Sequence, residues 1–220
     1  PNVLEGEHNA LEAHSSRPRP DEMVSGLGTR FWITESAIKT FSVGFPVQSA
    51  LDAFFALRRE YGLTASNVDR LFVRLPADGA AIVDNRSMPD VNCQYLIAVA
   101  LIDGALSFEA SHSYERMKDP QVLAVRERVE LIADRALMDP SAPRSARVKA
   151  SLRDGRKASH FTRYAPGTKE NPLDTPKVWA KARDLMTPVL GVQRTEALIR
   201  RVDMLEQLKS VRELMPLLAG

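Results

Sequence analysis

The residues best suited to chemistry stand at the head of an amphipathic stretch that runs from Ile38 to Gly62. Lys39 precedes a glycine and a proline, and Gln48 falls in the first turn of the predicted helix. A helix start carries free N–H groups and the positive end of the helix dipole, which stabilise a nearby anion by roughly 0.3–1 kcal/mol. These residues indicate a carboxylate-binding corner. A solvated lysine beside an ordinary helix start fits the same pattern.

The helix behind this corner is predicted to begin at Pro46 and to stop at Gly62. Proline suits a first helical position because its φ is fixed and its missing N–H would be unpaired there. Glycine readily takes the left-handed conformation that ends many helices. Apolar residues recur at helical spacing and are expected to face the core: Val47, Ala50, Leu51, Phe54 and Leu57.

Downstream patterns predict a small antiparallel sheet with helices, an α+β fold. Residues 68–75 alternate like a strand, and residues 146–152 alternate again before an Asp-Gly turn that returns residues 157–164 antiparallel. A short helix is predicted over 121–128 and a strand over 129–133, whereas residues 76–90 are predicted to be a loop. The stretch from Asn92 to Asp103 is apolar nearly all round, which is typical of a buried helix.

The last fifty residues carry two apolar-striped helices, divided at Gly191, that follow a turn-rich break at 166–174. An apolar stripe must pack on another surface, and the preceding α+β unit offers little. We infer a missing partner surface, either another chain or a preceding N-terminal region. A chain that begins with Pro1 rather than Met is expected to be a fragment or a processed product.

Composition narrows the functional classes. The 220 residues are 44% hydrophobic and carry a net charge of +2, which is too small to indicate nucleic-acid binding. A nucleic-acid-binding module built on the basic side chains of the predicted hairpin is the least favoured hypothesis. Cys93 is the single cysteine, so no internal disulfide is possible, and a reducing cytoplasm is expected. No apolar run approaches the ~20 residues of a membrane span. No phosphate-binding glycine loop or metal motif is present, so no cofactor and no metal are expected.

Several motifs in order resemble the C-terminal half of the MmgE/PrpD family, which includes 2-methylcitrate dehydratase and cis-aconitate decarboxylase. The motifs are IKTFSVGFPVQSALDA from Ile38, MPDVNCQYLIAVALIDG from Met88, LRDGR from Leu152 and ENPLD from Glu170. The resemblance implies a large helical domain into which a smaller α+β lid is inserted. Residues 1–36 would end a helical segment, 37–165 would form the lid, and 166–220 would return to the helical domain and pack there.

The same resemblance implies roles for individual residues. Lys39 matches a family lysine at the substrate carboxylates, and Tyr95 matches a tyrosine of the same cleft; both are expected to be catalytic. Gln48 stands where several members have a histidine, and because an amide does not titrate, only substrate positioning is expected of it. Arg86 and Asn92 are expected to lie near the substrate.

The implied activity is that of a lyase or isomerase of a small polycarboxylate, which removes a proton next to a carboxylate. The family's base and acid candidates lie in the N-terminal helical part, so this chain is expected to need that domain, and a homodimer is implied. A non-catalytic binding or assembly module is the alternative hypothesis.

Overall fold

A computed structural model describes residues 3, 4, 6 and 8–218 of the chain, which divides into two compact units, Pro1–Ser36 and Ala37–Gly220. The described helices are α1 (Ala10–His14), α2 (Asp21–Val24), α3 (Gln48–Tyr61), α4 (Ala77–Val83), α5 (Cys93–Asp103), α6 (Phe108–His112), α7 (Pro120–Arg126), α8 (Thr175–Asp203) and α9 (Met215–Leu218). The strands are β1 (Val68–Pro76), β2 (Val129–Asp134), β3 (Ala146–Leu152) and β4 (Lys157–Thr162).

The described residues of the first unit form only short helical turns. Asn9 caps α1 by accepting hydrogen bonds from the main-chain N–H groups of Leu11 and Glu12. A 3₁₀ turn follows at Trp32–Glu35. None of the described residues of this unit is buried, so these residues form no core.

The second unit is built on a four-stranded sheet in the order β2-β1-β3-β4. The predicted hairpin is confirmed: β3 and β4 pair antiparallel, and Gly155 closes the turn with a φ of 88°. However, β1 pairs parallel with β2, so the sheet is mixed rather than wholly antiparallel. The long connection between β1 and β2 contains α4 to α7, which is the kind of crossover that parallel strands require. The predicted α+β class is confirmed.

The core lies between the sheet and two of the helices that the sequence predicted. The five expected core residues, Val47 just before α3 and four within it, are all fully buried, and this helix packs on β3 and β4. In α5 every residue from Cys93 to Leu101 is buried, with Asn92 as its N-cap and a left-handed Gly104 at its end. This helix packs on α7 and β2, so it is enclosed on several sides as its composition predicted.

The predicted loop over 76–90 is wrong in part, because α4 occupies Ala77–Val83. Its buried side is made by Gly79, Ala80 and Val83. A Cβ at Gly79 would lie 3.4 Å from the Cβ of Pro46, so the glycine lets the two segments approach closely. Seven residues make only about two helical turns, so the apolar spacing is too short to be recognised, and the neighbouring proline and glycine favour a loop.

The C-terminal helix α8 changes direction at Gly191, whose backbone is non-helical with a φ of 74°, as the predicted division required. Its first-half apolar stripe is only partly covered: Val178, Trp179, Ala182, Leu185 and Met186 are half-buried, and Val189 is 80% exposed. Packing of this stripe on an all-helical domain stays a prediction. None of the helices among the described residues combines the length and apolar character that a bilayer crossing requires.

The buried face of α3 makes a stability prediction. Leu51→Ala should lower the free energy of unfolding by about 2–5 kcal/mol, because it removes a fully buried side chain and leaves a cavity. Leu123→Ala, also in a helix but at a residue 39% exposed, is the matched control and should cost clearly less. Urea unfolding followed by circular dichroism measures both. Equal losses for the two variants would contradict the core described here.

Cys93 makes a chemical prediction. Burial above all, with a smaller effect from the charge of Asp84, raises the pKa of its thiol to about 12. Since the thiolate is the reactive form, the folded protein should react with a disulfide reagent at pH 8 only as fast as it opens. Ellman's reagent with and without denaturant provides the measurement. Prompt reaction of the folded protein would show that the N-terminal end of α5 is open to solvent.

Candidate functional site

Lys39 lies in an irregular link, residues 38–43, which we call the Lys39 segment. The link leads through a 3₁₀ turn at Phe45–Val47 into α3. The Lys39 side chain is exposed. Among the residues that the structure describes, no acidic side chain pairs with its ammonium group. An exposed and unpaired cation is therefore available to an anion at this point.

A second ammonium group, that of Lys181 in α8, reaches the Lys39 segment. Its Nζ donates to the main-chain carbonyl of Lys39 at 2.6 Å and lies 3.3 Å from the hydroxyl oxygen of Ser42. Partial burial and the positive charge of Lys39 both lower the pKa of Lys181, and the negative charge of Asp184 opposes them. Two cations thus share one neighbourhood, and the charge of Asp184 offsets only part of the effect on Lys181.

Gln48 holds the other end of the Lys39 segment. The side chain is fully buried, and its Oε1 accepts the N–H of Phe41 at 3.1 Å while its Nε2 donates to the carbonyls of Phe41 and Val43 at 2.9 and 3.3 Å. Pro46 and Val47 are buried as well. The predicted corner is therefore wrong in one respect: the helix start faces the interior instead of an open anion site. Positioning of substrate by Gln48 stays a prediction that no contact here supports.

A turn before α8 fixes the beginning of the segment. Ile38 donates its N–H to the carbonyl of Gly167 at 2.9 Å. Gly167 has a φ of 88°, and a Cβ placed on it would lie 1.8 Å from the carbonyl oxygen of Ile38. Only glycine fits this approach. The Lys39 segment is consequently held at three points: Gly167, Lys181 and Gln48.

Tyr95 is fully buried within α5. Its hydroxyl donates to the main-chain carbonyl of Ala110, with the carbonyl of Ser113 at 3.3 Å. Burial raises the pKa of this phenol to about 12; Asp103 adds to the rise and Arg116 opposes it. The hydroxyl is thus protonated at neutral pH and bound inside the fold. Its predicted catalytic role stays a prediction from the resemblance.

Asn92 and Arg86 also make local contacts. The Oδ1 of Asn92 accepts the N–H of Tyr95 at 2.9 Å, and its Nδ2 donates to the carbonyl of Arg86. The guanidinium of Arg86 donates to the carbonyls of Ile82 and Ala81 at the end of α4, at 2.8 and 2.9 Å. Both residues tie helix ends together, and their substrate contacts stay predictions.

A groove of about 500 Å³ borders the same segment on another side. Its lining includes the stacked Phe41 and Phe55 together with Thr40, Arg59, Leu173 and Lys177. Neither Lys39 nor Lys181 belongs to that lining. Across the described residues, no cluster of three or more His, Cys, Asp or Glu side chains is arranged to hold a metal ion.

Sequence reasoning missed Lys181, Ser42 and Gly167 as neighbours of Lys39. Lys181 stands between apolar positions of a helix, and nothing local distinguishes it from a solvated lysine. The turn around Gly167 was visible only as a break in the pattern. These contacts join residues more than a hundred positions apart, so only the fold reveals them.

Comparison with known protein families decides the assignment. The sequence model of the family described as MmgE/PrpD C-terminal domain matches residues 41–207 of the chain. The chain belongs to the MmgE/PrpD family. The match contains Gln48, Arg86, Asn92, Tyr95 and Lys181 and begins two residues after Lys39. It confirms the family that the sequence motifs indicated. No curated protein matches the chain closely enough to be named as its relative.

The contact at Gly167 gives a prediction with a built-in control. Gly167→Ala should detach Ile38 from the turn, because the added methyl group and the carbonyl oxygen of Ile38 cannot occupy the same space. Gly155→Ala has the same φ of 88° but nothing within 4 Å, so it should show only the backbone strain, about 1–3 kcal/mol.

Urea unfolding measures the two losses, and that of Gly167→Ala should exceed the control by roughly another 1–3 kcal/mol from overpacking. Amide hydrogen exchange of Ile38 should also accelerate in Gly167→Ala alone. Equal behaviour of the two variants would mean that the turn does not hold the Lys39 segment.

Proposed function

We propose that the chain is the C-terminal part of an MmgE/PrpD-type lyase or isomerase that acts on a small polycarboxylate. The observation that carries the proposal is the exposed, unpaired ammonium of Lys39 beside that of Lys181. A pair of ammonium groups binds anions such as carboxylates and phosphates. The family resemblance selects carboxylates among them, and two cations suit a substrate that carries more than one.

The proposed reaction begins with removal of a proton next to a carboxylate. The negative charge that develops is enolate-like, and a fixed cation beside it stabilises the transition state more than the ground state. We assign this role to Lys39, because its main chain is fixed at three points while its side chain stays free. Loss of water, loss of carbon dioxide or return of the proton would then complete the reaction.

We assign the proton acceptor to an N-terminal helical domain, as the resemblance implies. We do not assign this role to His112. Its Nδ1 already contacts the carbonyl of Phe108 at 2.9 Å, and its ring stacks on the ring of Phe108. The uncovered apolar stripe of α8 supports such a domain, since Val189 and its half-buried neighbours lack a full covering in the described chain. The proposal includes a homodimer, which the resemblance implies. It also includes a cytoplasmic location, because Cys93 is buried as a free thiol.

A non-catalytic binding or assembly module is the second candidate. The observation that favours it is that Tyr95, Gln48 and Asn92 all direct their polar groups to the main chain of their own fold. A module of this kind would use the exposed apolar residues of α8 for assembly and would turn over nothing.

The deciding experiment screens the complete protein against methylcitrate, citrate, cis-aconitate and aminated succinates by proton NMR. Turnover of one of them is expected. Lys39→Ala should then lower the rate by about tenfold or more, by analogy with the loss of one transition-state donor. Lys149→Ala, which removes an exposed lysine from β3, is the matched control and should leave the rate unchanged. Unchanged turnover in the Lys39 variant would count against the assignment, and no turnover of any acid would favour the assembly module.

A further inference from the structure

The ammonium groups of Lys39 and Lys181 repel each other at the Lys39 segment, and the described residues do not fully offset this repulsion. The ammonium of Lys181 is half-buried and close enough to Lys39 for that charge to lower its pKa. The acidic group that opposes this effect is Asp184, and its Oδ2 also accepts the N–H of Phe108 at 3.2 Å. Like charges held together in this way favour an added anion, because an anion attracts both of them.

The hydrogen bonds of Lys181 leave one donor for such an anion. A lysine ammonium has three N–H donors. One is used by the carbonyl of Lys39 and a second points to Ser42, so the third is not used by any group that the structure describes. The ammonium of Lys39 belongs to the same residue as that carbonyl. None of its three donors is used by a group that the structure describes.

We propose that Lys39 and Lys181 form one dicationic anion site, in which Lys181 positions the Lys39 main chain and supplies the second positive charge. The site rests on the proposed function for its ligand, a small di- or tricarboxylate. Lys181 is 142 residues away from Lys39 in sequence, so the site exists only when α8 is docked against the segment. Docking of α8 and anion binding are therefore coupled.

The test uses the full 220-residue chain and the non-reacting probe tricarballylate, with inorganic sulfate as a second probe. Binding is measured by isothermal titration calorimetry in the parent protein and in Lys39→Met, Lys181→Met, Lys181→Arg and Lys177→Met. The first two changes should each weaken binding tenfold or more. Lys181→Arg should restore part of the loss, because guanidinium keeps the charge and the donors. Lys177 lies one turn earlier on α8, is exposed and pairs with Asp174, so its variant should bind like the parent.

A spectroscopic titration needs no substitution and separates a binding role from a merely structural one. In protein carrying ¹³C-labelled lysine, saturating tricarballylate should raise the pKa of Lys181, because a bound anion stabilises the charged form. Lys181→Met should also speed amide exchange in the Lys39 segment, whereas Lys177→Met should not.

The outcomes discriminate between this proposal and the proposed function. Binding of sulfate through both lysines without binding of tricarballylate would support the dicationic site and contradict the polycarboxylate substrate. Failure of the parent protein to bind either probe would overturn the site. Equal affinity of the parent and Lys181→Met, or an unmoved pKa of Lys181 at saturation, would overturn it as well.

Discussion

The hydrogen bond from the Lys181 ammonium to the carbonyl of Lys39 is the contact on which the candidate site depends. It joins a helix near the end of the chain to a link near its beginning, across 142 residues. The bond is charge-assisted, so it is stronger than one between neutral groups. It also brings a second positive charge to a place where Lys39 already carries one. The same contact therefore fixes the segment and, in the proposed site, supplies the second charge for an anion.

The rest of the fold serves to hold that segment from its other sides. The fully buried first turns of α3 keep Gln48 fixed, and its amide ties down Phe41 and Val43. At the other end, Gly167 accepts the N–H of Ile38 through an approach that no larger residue permits. Because its main chain is held in place, the ammonium group of Lys39 can be presented at one position to the negative charge of a substrate. Preorganisation of this kind is what electrostatic stabilisation of a transition state requires.

Local signals predicted much of the fold. The apolar spacing of α3, the Asp-Gly turn before β4 and the break at Gly191 each determine structure within a few residues, and each was confirmed. The parallel pairing of β2 with β1 was missed because strand direction depends on the whole crossover between them. Within the site, Lys39 was identified as a cation, but its partner in α8 was not. Nothing in the neighbourhood of Lys181 marks it, since charge and spacing there match an ordinary helix surface.

The central claim is that a carboxylate-bearing ligand binds between the ammonium groups of Lys39 and Lys181. A crystal structure of the complete protein soaked with tricarballylate tests it most directly. The account predicts carboxylate oxygens within hydrogen-bond distance of both Nζ atoms, with the bond from Lys181 to the carbonyl of Lys39 retained. A ligand bound instead in the groove lined by Phe41, Phe55 and Arg59, with neither lysine in contact, would contradict the claim.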